Sequence, residues 1–432
     1  MDNYICGQKF YNIIITLKGT HMTLTTSDIK SAALLMNSID TESFFDSITE
    51  ISSSNDYWLV RTEGGALYTD FKTNGYVGIG WNELNVDTIQ NSDVPTLKER
   101  LKQIDKEKLK LAEANELEEL LSPEEIDEGA LLNSERSYTA AANQLHTFVN
   151  KIAIGDFVLI PNTGSKKFSL GKVISGAIED SESVAHKDDN PSFVHSDFIK
   201  RHKVQWLGEF NRDDADSSFY KMIYTHRTIS NITEYQSVIN RAVFDIYILD
   251  DSVHLTFHVT EPGAVNMKSM GAFAYNIPGM VELVCPEDIV SMKSNVQSPG
   301  PIETIIPSKK AAATVLIALT FAGGVSALTY GGELEVGNMS FKVPGVLTQQ
   351  TANDKVSAET KAAELQNTET ENKQTLDVLN NSEQIIEKAI ALGADIEDLG
   401  LKYPKETLRL LQKQLDQKKD VEEAKASTTS DK

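Results

Sequence analysis

The sequence predicts an α+β fold: a small, partly open β-barrel with helices, an accessory β segment, one apolar helix and a helical C-terminal tail. Three observations predict it. Short strand-like runs alternate with helix-like segments between residues 57 and 242. Residues 311–330 contain no charged residue. Beyond them polar residues dominate, and helical periodicity returns over 376–401.

Chain length and composition are those of a globular protein and exclude several functional classes. The 432 residues are 40% hydrophobic and 24% charged, which suits two or three domains. A net charge of -22 argues against a protein that coats nucleic acid through bulk charge. Two cysteines, Cys6 and Cys285, predict neither a disulfide framework nor a zinc site. With no secretory signal at the N-terminus, we expect a reducing, cytoplasmic environment for most of the chain.

The chain divides into six predicted segments, separated by changes in composition. Residues near Pro299, Pro301 and Pro307 show little apolar pattern, which is typical of a linker. In chain order the segments are an N-terminal α/β segment (1–54), the barrel (57–242), a small β segment (244–290), the linker (295–308), the apolar helix (311–330) and a polar, mostly helical tail (331–432).

The apolar helix at 311–330 has two interpretations. At 1.5 Å per residue it would be about 30 Å long, the thickness of a hydrocarbon core. Its seven strongly apolar residues contribute about -2 to -4 kcal/mol to insertion. Lys309 and Lys310 precede it and acidic residues follow, so a single span would anchor the protein in the inner membrane with its N-terminal domains cytoplasmic. The alternative is a buried helix in a soluble cytoplasmic protein.

The search for catalytic motifs predicts no enzyme. The sequence lacks GxxxxGK[ST], GxGxxG, HExxH and GxSxG, so we predict no catalytic residue, cofactor or metal. His254 and His258 lie in an alternating run typical of a strand. Four residues along a strand span about 13 Å, too far for one ion, so we expect both histidines on a solvent-facing side.

Aromatic residues within 57–242 are the best candidates for a binding site. All three tryptophans of the chain lie there in strand-like contexts. Either they belong to a buried core, or they form a wall on which a planar ligand stacks. The pocket candidates are Trp58, Trp81, Trp206 and Tyr76. Basic residues nearby are candidates for phosphate contacts: Lys166, Lys167, Lys172, Lys200, Arg201 and Lys203.

Four pieces of sequence, in order, carry a resemblance to a known family. They are Tyr57-Trp-Leu-Val-Arg-Thr-Glu-Gly-Gly with Tyr68-Thr-Asp-Phe71 and Gly75-Tyr-Val-Gly-Ile-Gly-Trp81, then 148–161, 170–173, and 202–207 with 228–232. They resemble the N-terminal domain that precedes the nuclease in Mrr-type restriction proteins, one of the EVE-like and PUA-like barrels. The resemblance implies a concave aromatic pocket for a modified base or a nucleic-acid end.

The nuclease half of such proteins is predicted to be absent. It needs a strand-borne Asp followed by (D/E)-x-K, whereas Glu359-Thr-Lys361 lies in a polar tract. We therefore predict a non-enzymatic sensor of nucleic acid or a modified nucleotide, tethered through 311–330, in a prokaryotic or phage defence system. The alternative is a soluble structural or assembly protein whose C-terminal helices form a homo-oligomer.

Overall fold

The chain forms two compact units. We name Ser54–Val243 the central domain, and Met1–Ser53 with Phe244–Lys432 the terminal domain. The predicted barrel, 57–242, lies inside the central domain, whereas the five other predicted segments belong to one terminal domain. The computed structural model describes residues 13–17, 20–24, 26–118, 134–181, 194–212, 219–223, 227–260, 263–294, 300–330, 332–336, 339–343, 369–402, 404, 407, 409–411, 413 and 414.

Strands and helices alternate along both domains. The strands are β1 (Ile13–Leu17), β2 (Thr20–Leu24), β3 (Glu50–Ile51), β4 (Tyr57–Val60), β5 (Tyr76–Ile79), β6 (Phe157–Pro161), β7 (Lys167–Val173), β8 (Ile178–Glu179), β9 (Lys200–Asn211), β10 (Ile229–Asn231), β11 (Ile246–Leu249), β12 (Ser252–Val259), β13 (Ser291–Ser294), β14 (Gly300–Ile306), β15 (Gly332–Val336), β16 (Met339–Val343) and β17 (Leu401–Lys402). The helices are α1 (Thr26–Ser38), α2 (Tyr68–Asn74), α3 (Val86–Gln90), α4 (Val94–Glu118), α5 (Glu135–Asn150), α6 (Phe219–Ile223), α7 (Gln236–Val243), α8 (Met267–Val284), α9 (Lys309–Tyr330) and α10 (Glu369–Asp398).

The central domain contains a seven-stranded sheet that curls into a half-barrel. Its strands run in the order β10-β4-β6-β7-β9-β5, and β8 pairs with β9. The β4–β6 pair is parallel and the other pairs are antiparallel. The predicted mixed α+β architecture, an open barrel decorated by helices, is confirmed at this level.

Strand β4 is buried on both faces, which fixes its side chains firmly. Trp58 and Val60 belong to the apolar cluster that includes the buried side of α5. Tyr57 points the other way, stacks on Phe157 with ring centroids 4.8 Å apart, and donates a hydrogen bond to Asn240 Oδ1 at 2.8 Å. Alternation along the strand therefore places Trp58 on the side where α5 lies.

Helix α5 is amphipathic, with an apolar side in the core and a polar side facing away. Leu145 and Phe148 are fully buried, together with Ala142. The helix begins at Glu135 because the Ser134 hydroxyl accepts the Ser137 N–H at 3.2 Å. Its polar side is thus positioned by burial of the opposite side.

The terminal domain contains a six-stranded sheet in the order β13-β14-β12-β11-β3, with β17 paired to β12. Strands β11 and β12 form an antiparallel hairpin, and Asp250 at its turn has a left-handed φ of 52°. The predicted linker 295–308 is wrong over Gly300–Ile306, because β14 pairs with both β12 and β13. Pro301 lies near the start of this strand, where a proline is tolerated.

Two further predictions for the terminal domain need correction. The small β segment 244–290 includes the 18-residue helix α8, whose Pro278 obscures its helical pattern. The tail 331–432 contains a β15–β16 hairpin and helix α10, whose Ile385, Ile386 and Ala389 are buried in the domain core. Residues 359–361 lie outside the described residues. Oligomerisation through the C-terminal helices stays a prediction.

The apolar segment forms α9, at the centre of the terminal domain's core. Every residue from Ala311 to Leu319 except Thr314 is fully buried, in one cluster with residues of α1, α8, α10 and the sheet. The predicted membrane span is thus corrected to a core helix over this half, because protein rather than lipid covers its apolar side chains. In the part of the chain that the structure describes, no helix combines the length and apolarity needed to cross a membrane.

The histidine prediction is wrong for His254. Both faces of β12 are largely buried, and His254 is only 3% exposed. Its Nδ1 lies 2.8 Å from Glu303 Oε1, and the Tyr247 hydroxyl donates to the same oxygen. Glu303 has no exposed surface. The terminal domain therefore contains a buried carboxylate held by two donors, whereas His258 is half-exposed beside Asp245.

Candidate functional site

A cleft of about 1410 Å³ opens in the central domain beside α5. One wall is the polar side of α5, and the other is β10 with the residues just before it. Trp58 and Trp81, which lie far apart in the sequence, both line this cleft. The Ile229 N–H on β10 donates to the side chain of Gln144 on α5, which ties the two walls together.

Trp58 forms a fixed part of the cleft's interior surface. Its side chain is almost entirely buried, and its Nε1 donates to Asp156 Oδ2 at 2.9 Å. Asp156 also accepts the backbone N–H groups of Asp56 and Ala153, each at 3.0 Å. This carboxylate therefore joins β4 to the turn before β6 and fixes the indole orientation. Trp58 offers a rigid apolar surface rather than a movable side chain.

Trp81 is partly exposed and has an unusual backbone conformation. It follows β5 and has a φ of 55°, in the left-handed region that a bulky residue rarely adopts. Gly78 and Gly80 precede it and pack against Phe198. Such strain persists only where the surroundings enforce it, and it concentrates at functional sites.

Lys200 supplies the contact that holds this backbone. The Lys200 side chain has no exposed surface, and its Nζ donates to the Trp81 carbonyl oxygen at 2.7 Å. Burial lowers the pKa of Lys200 to about 8, while Glu83 and Glu179 act in the opposite direction. The prediction that Lys200 contacts phosphate is therefore wrong, because its charge faces the interior. Its charge instead positions Trp81.

The strain at Trp81 predicts that a glycine variant is more stable than an alanine variant, the reverse of the usual order within a strand. A left-handed backbone costs a residue with a Cβ about 1–2 kcal/mol, and glycine avoids that cost. We expect Trp81→Gly to be more stable than Trp81→Ala by about 1 kcal/mol, as measured by urea unfolding. The matched pair is Trp206→Gly and Trp206→Ala on β9, where glycine should be the less stable. Equal or lower stability of Trp81→Gly would contradict the strained backbone.

The other two aromatic candidates lie outside the cleft. Trp206 donates from Nε1 to the Phe71 carbonyl at 3.2 Å and packs on Gly171, where a Cβ would lie 2.7 Å from the indole. Tyr76 is buried and donates to Asp70. Burial, reinforced by this hydrogen bond, raises the pKa of Tyr76. Both side chains stabilise the fold and do not contribute to the cleft surface.

Most of the predicted phosphate contacts are also engaged elsewhere or lie apart from the cleft. Arg201 is nearly buried, forms an ion pair with Asp180 at 3.1 Å, and stacks its guanidinium 4.0 Å from the Tyr76 ring centroid. Lys167 pairs with Glu209 at 3.0 Å. None of these residues lines the cleft, and neither do the remaining candidates, which are Lys166, Lys172 and Lys203.

The cleft also has basic residues that no sequence pattern indicates. Arg136, Lys151 and Arg227 line it, are exposed, and form no ion pair in the described part of the chain. Lys98 also lines it but pairs with Glu135 at 2.6 Å. No basic run marks these positions in the sequence, so the only available signal was the polar stripe of α5.

Comparisons with known proteins assign no function to this arrangement. Residues 57–233 match a family model described as "Domain of unknown function (DUF8426)". This match covers much of the region that resembles the Mrr-type N-terminal domain. No curated protein matches the chain, and neither does any solved structure.

Proposed function

We propose that the central domain is a non-enzymatic nucleic-acid-binding module that stacks a base on Trp81. The proposal rests on one observation: Trp58 and Trp81 line the same cleft, and basic residues line it with them. An aromatic ring accepts the face of any nucleobase, modified or not, and each stacked base contributes about 1–3 kcal/mol. Trp81 would stack on the base, and the fixed Trp58 would provide the apolar surface beneath it.

The charge of the cleft supports a phosphate-bearing ligand. Its lining contains four basic residues, Lys98, Arg136, Lys151 and Arg227, against the acidic Asp56 and Glu135, although the whole chain carries -22. The Lys98–Glu135 pair is internally neutral. A basic cleft on an acidic protein concentrates anions locally without coating nucleic acid in general.

The resemblance to Mrr-type restriction proteins supports the same proposal. On the basis of this resemblance we assign the half-barrel to the EVE-like or PUA-like barrels, which implies an aromatic pocket for a modified base. The resemblance also carries the proposed setting, a prokaryotic or phage defence system. Single-stranded or damaged targets are favoured, since flipping a base out of a duplex costs a few kcal/mol.

Fluorescence anisotropy with the full chain tests the proposal. The probes are labelled single-stranded DNA and RNA oligonucleotides, with and without modified bases, and matching duplexes. We expect binding to at least one single-stranded probe, and Trp81→Ala should weaken it by about 1–3 kcal/mol. Trp206→Phe is the control, because Trp206 lies outside the cleft. Absence of binding to every probe, or equal binding by Trp81→Ala, would contradict the proposal.

A further inference from the structure

One polar stripe of α5 lines the cleft over the whole length of the helix. Its residues recur at three- or four-residue intervals, which is the spacing of one helix face. They are Arg136, Asn143, Thr147 and Lys151, the residue that follows α5, with the small Ala140 between the first two. With a rise of 1.5 Å per residue, the two basic ends of this stripe are about 22 Å apart.

The helix dipole accounts for the positive charge at one end of the stripe but not for the one at the other end. Lys151 follows the last turn of α5, where the helix dipole favours a positive charge. Arg136 lies at the second helical position, where the dipole disfavours one. Neither has an ion pair among the described residues, and Arg227 on the opposite wall has none either. The helix dipole therefore does not account for the charge of Arg136.

The separation of the two ends limits the size of the ligand. To share one phosphate, Arg136 and Lys151 would both have to lie flat along the helix toward each other. Two phosphates several nucleotides apart would satisfy both residues in ordinary conformations. A stacked strand rises about 3.4 Å along its axis for each phosphate, so the stripe of about 22 Å corresponds to about six nucleotide steps.

We propose that the cleft takes a single strand of about six nucleotides rather than a lone nucleotide, with Arg136, Lys151 and Arg227 contacting different phosphates. This inference rests on the proposed function, since Trp81 would stack one base of that strand. A single strand is chosen over a duplex because its bases reach an aromatic platform without being flipped. The basic residues would contribute affinity that depends on salt, and Trp81 affinity that does not.

The length of the ligand is tested by anisotropy on the full chain. The probes are a labelled mononucleotide and single strands of two, four, six, eight and ten nucleotides. We expect affinity to rise with length up to about six nucleotides and then to level off. A mononucleotide that binds as tightly as the eight-nucleotide strand would overturn the inference but leave the proposed base binding intact.

The three basic residues are tested by salt titration. Each phosphate contact on a single strand contributes about -0.7 to the slope of log K against log salt. Arg136→Gln, Lys151→Gln and Arg227→Gln combined should therefore reduce the slope by about 2. The matched control combines Lys166→Gln, Lys203→Gln and Lys221→Gln, which removes the same charge from exposed positions outside the cleft.

The outcomes separate this inference from the proposed function. An unchanged slope in the cleft variant, or an equal reduction in the control, would overturn the assignment of the three residues. A duplex that binds as tightly as the single strand would overturn the choice of ligand. If no probe binds at any length, both the inference and the proposed function fail. If a probe binds and Trp81→Ala weakens that binding, the proposed function stands whatever the outcome for the three basic residues.

Discussion

Replacing Leu319 with lysine should unfold the terminal domain. Leu319 is fully buried among the apolar residues of α9, so the new ammonium group would lie in the interior. The lost leucine burial costs about 2 kcal/mol, and an unpaired interior charge costs several more. The total, about 5 kcal/mol or more, approaches the whole stability of a typical domain. Hydrogen exchange of the α9 and β12 amides measures the loss.

The matched control for this variant is Leu34→Lys in the same domain. Leu34 lies on α1 and is 57% exposed, so the same chemical change should alter stability by less than about 0.5 kcal/mol. A membrane-spanning segment would respond differently: Leu319→Lys would leave a folded protein that had merely left the membrane. A Leu319→Lys protein with native exchange protection in α9 would contradict the core assignment.

Removing the Glu303 carboxylate should be nearly as damaging. Glu303→Ala would leave His254 and the Tyr247 hydroxyl without their shared acceptor in a buried site, at a cost of about 3–5 kcal/mol. Glu303→Gln retains an acceptor oxygen and should lose less. Chemical unfolding of the three proteins at neutral pH measures the ranking. An alanine variant as stable as the wild type would show that this buried cluster is not required.

The pH dependence of stability, compared between wild type and Glu303→Gln, gives an independent check of this buried cluster. Burial opposes ionisation of Glu303, but the hydrogen bonds from His254 and Tyr247 prevail and lower its pKa below the ordinary 4.5. The ionised carboxylate therefore adds stability at pH above 4.5, and that contribution is lost as pH falls through the lowered pKa. The stability difference between wild type and Glu303→Gln should shrink on acidification below pH 4.5. A constant difference would contradict this linkage.

Local pattern predicted the central domain well because its elements carry clear periodicity. Helix α5 has apolar residues at helical spacing, and strands β4 and β6 are short continuous apolar runs, so their positions follow from the sequence. Strand β14 was missed because Pro301 suggested a linker, and helix α8 lies in a segment that was predicted to be β. The terminal domain brings residues before 54 together with residues after 243, and no local pattern indicates such long-range pairing.

The site was predicted in part: the tryptophans indicated residues of the cleft, whereas the basic runs did not. Trp58 and Trp81 were identified as candidates, and both line the cleft. The basic run around Lys200 was misleading, since β9 buries Lys200, Arg201 and His202 in succession and the lysine reaches an internal carbonyl. The basic residues of the cleft come from α5 and the residues before β10, so only the folded chain brings them together.

Base stacking on Trp81 can be measured most directly through the three indole N–H signals of the protein in a nitrogen–proton NMR titration. The chain contains only three tryptophans, and Trp206 serves as an internal reference outside the cleft. Addition of a six-nucleotide single strand should shift the Trp81 signal most, the Trp58 signal less, and the Trp206 signal hardly at all. Saturating binding that shifts Trp206 while Trp81 stays unchanged would contradict the proposal that a base stacks in this cleft.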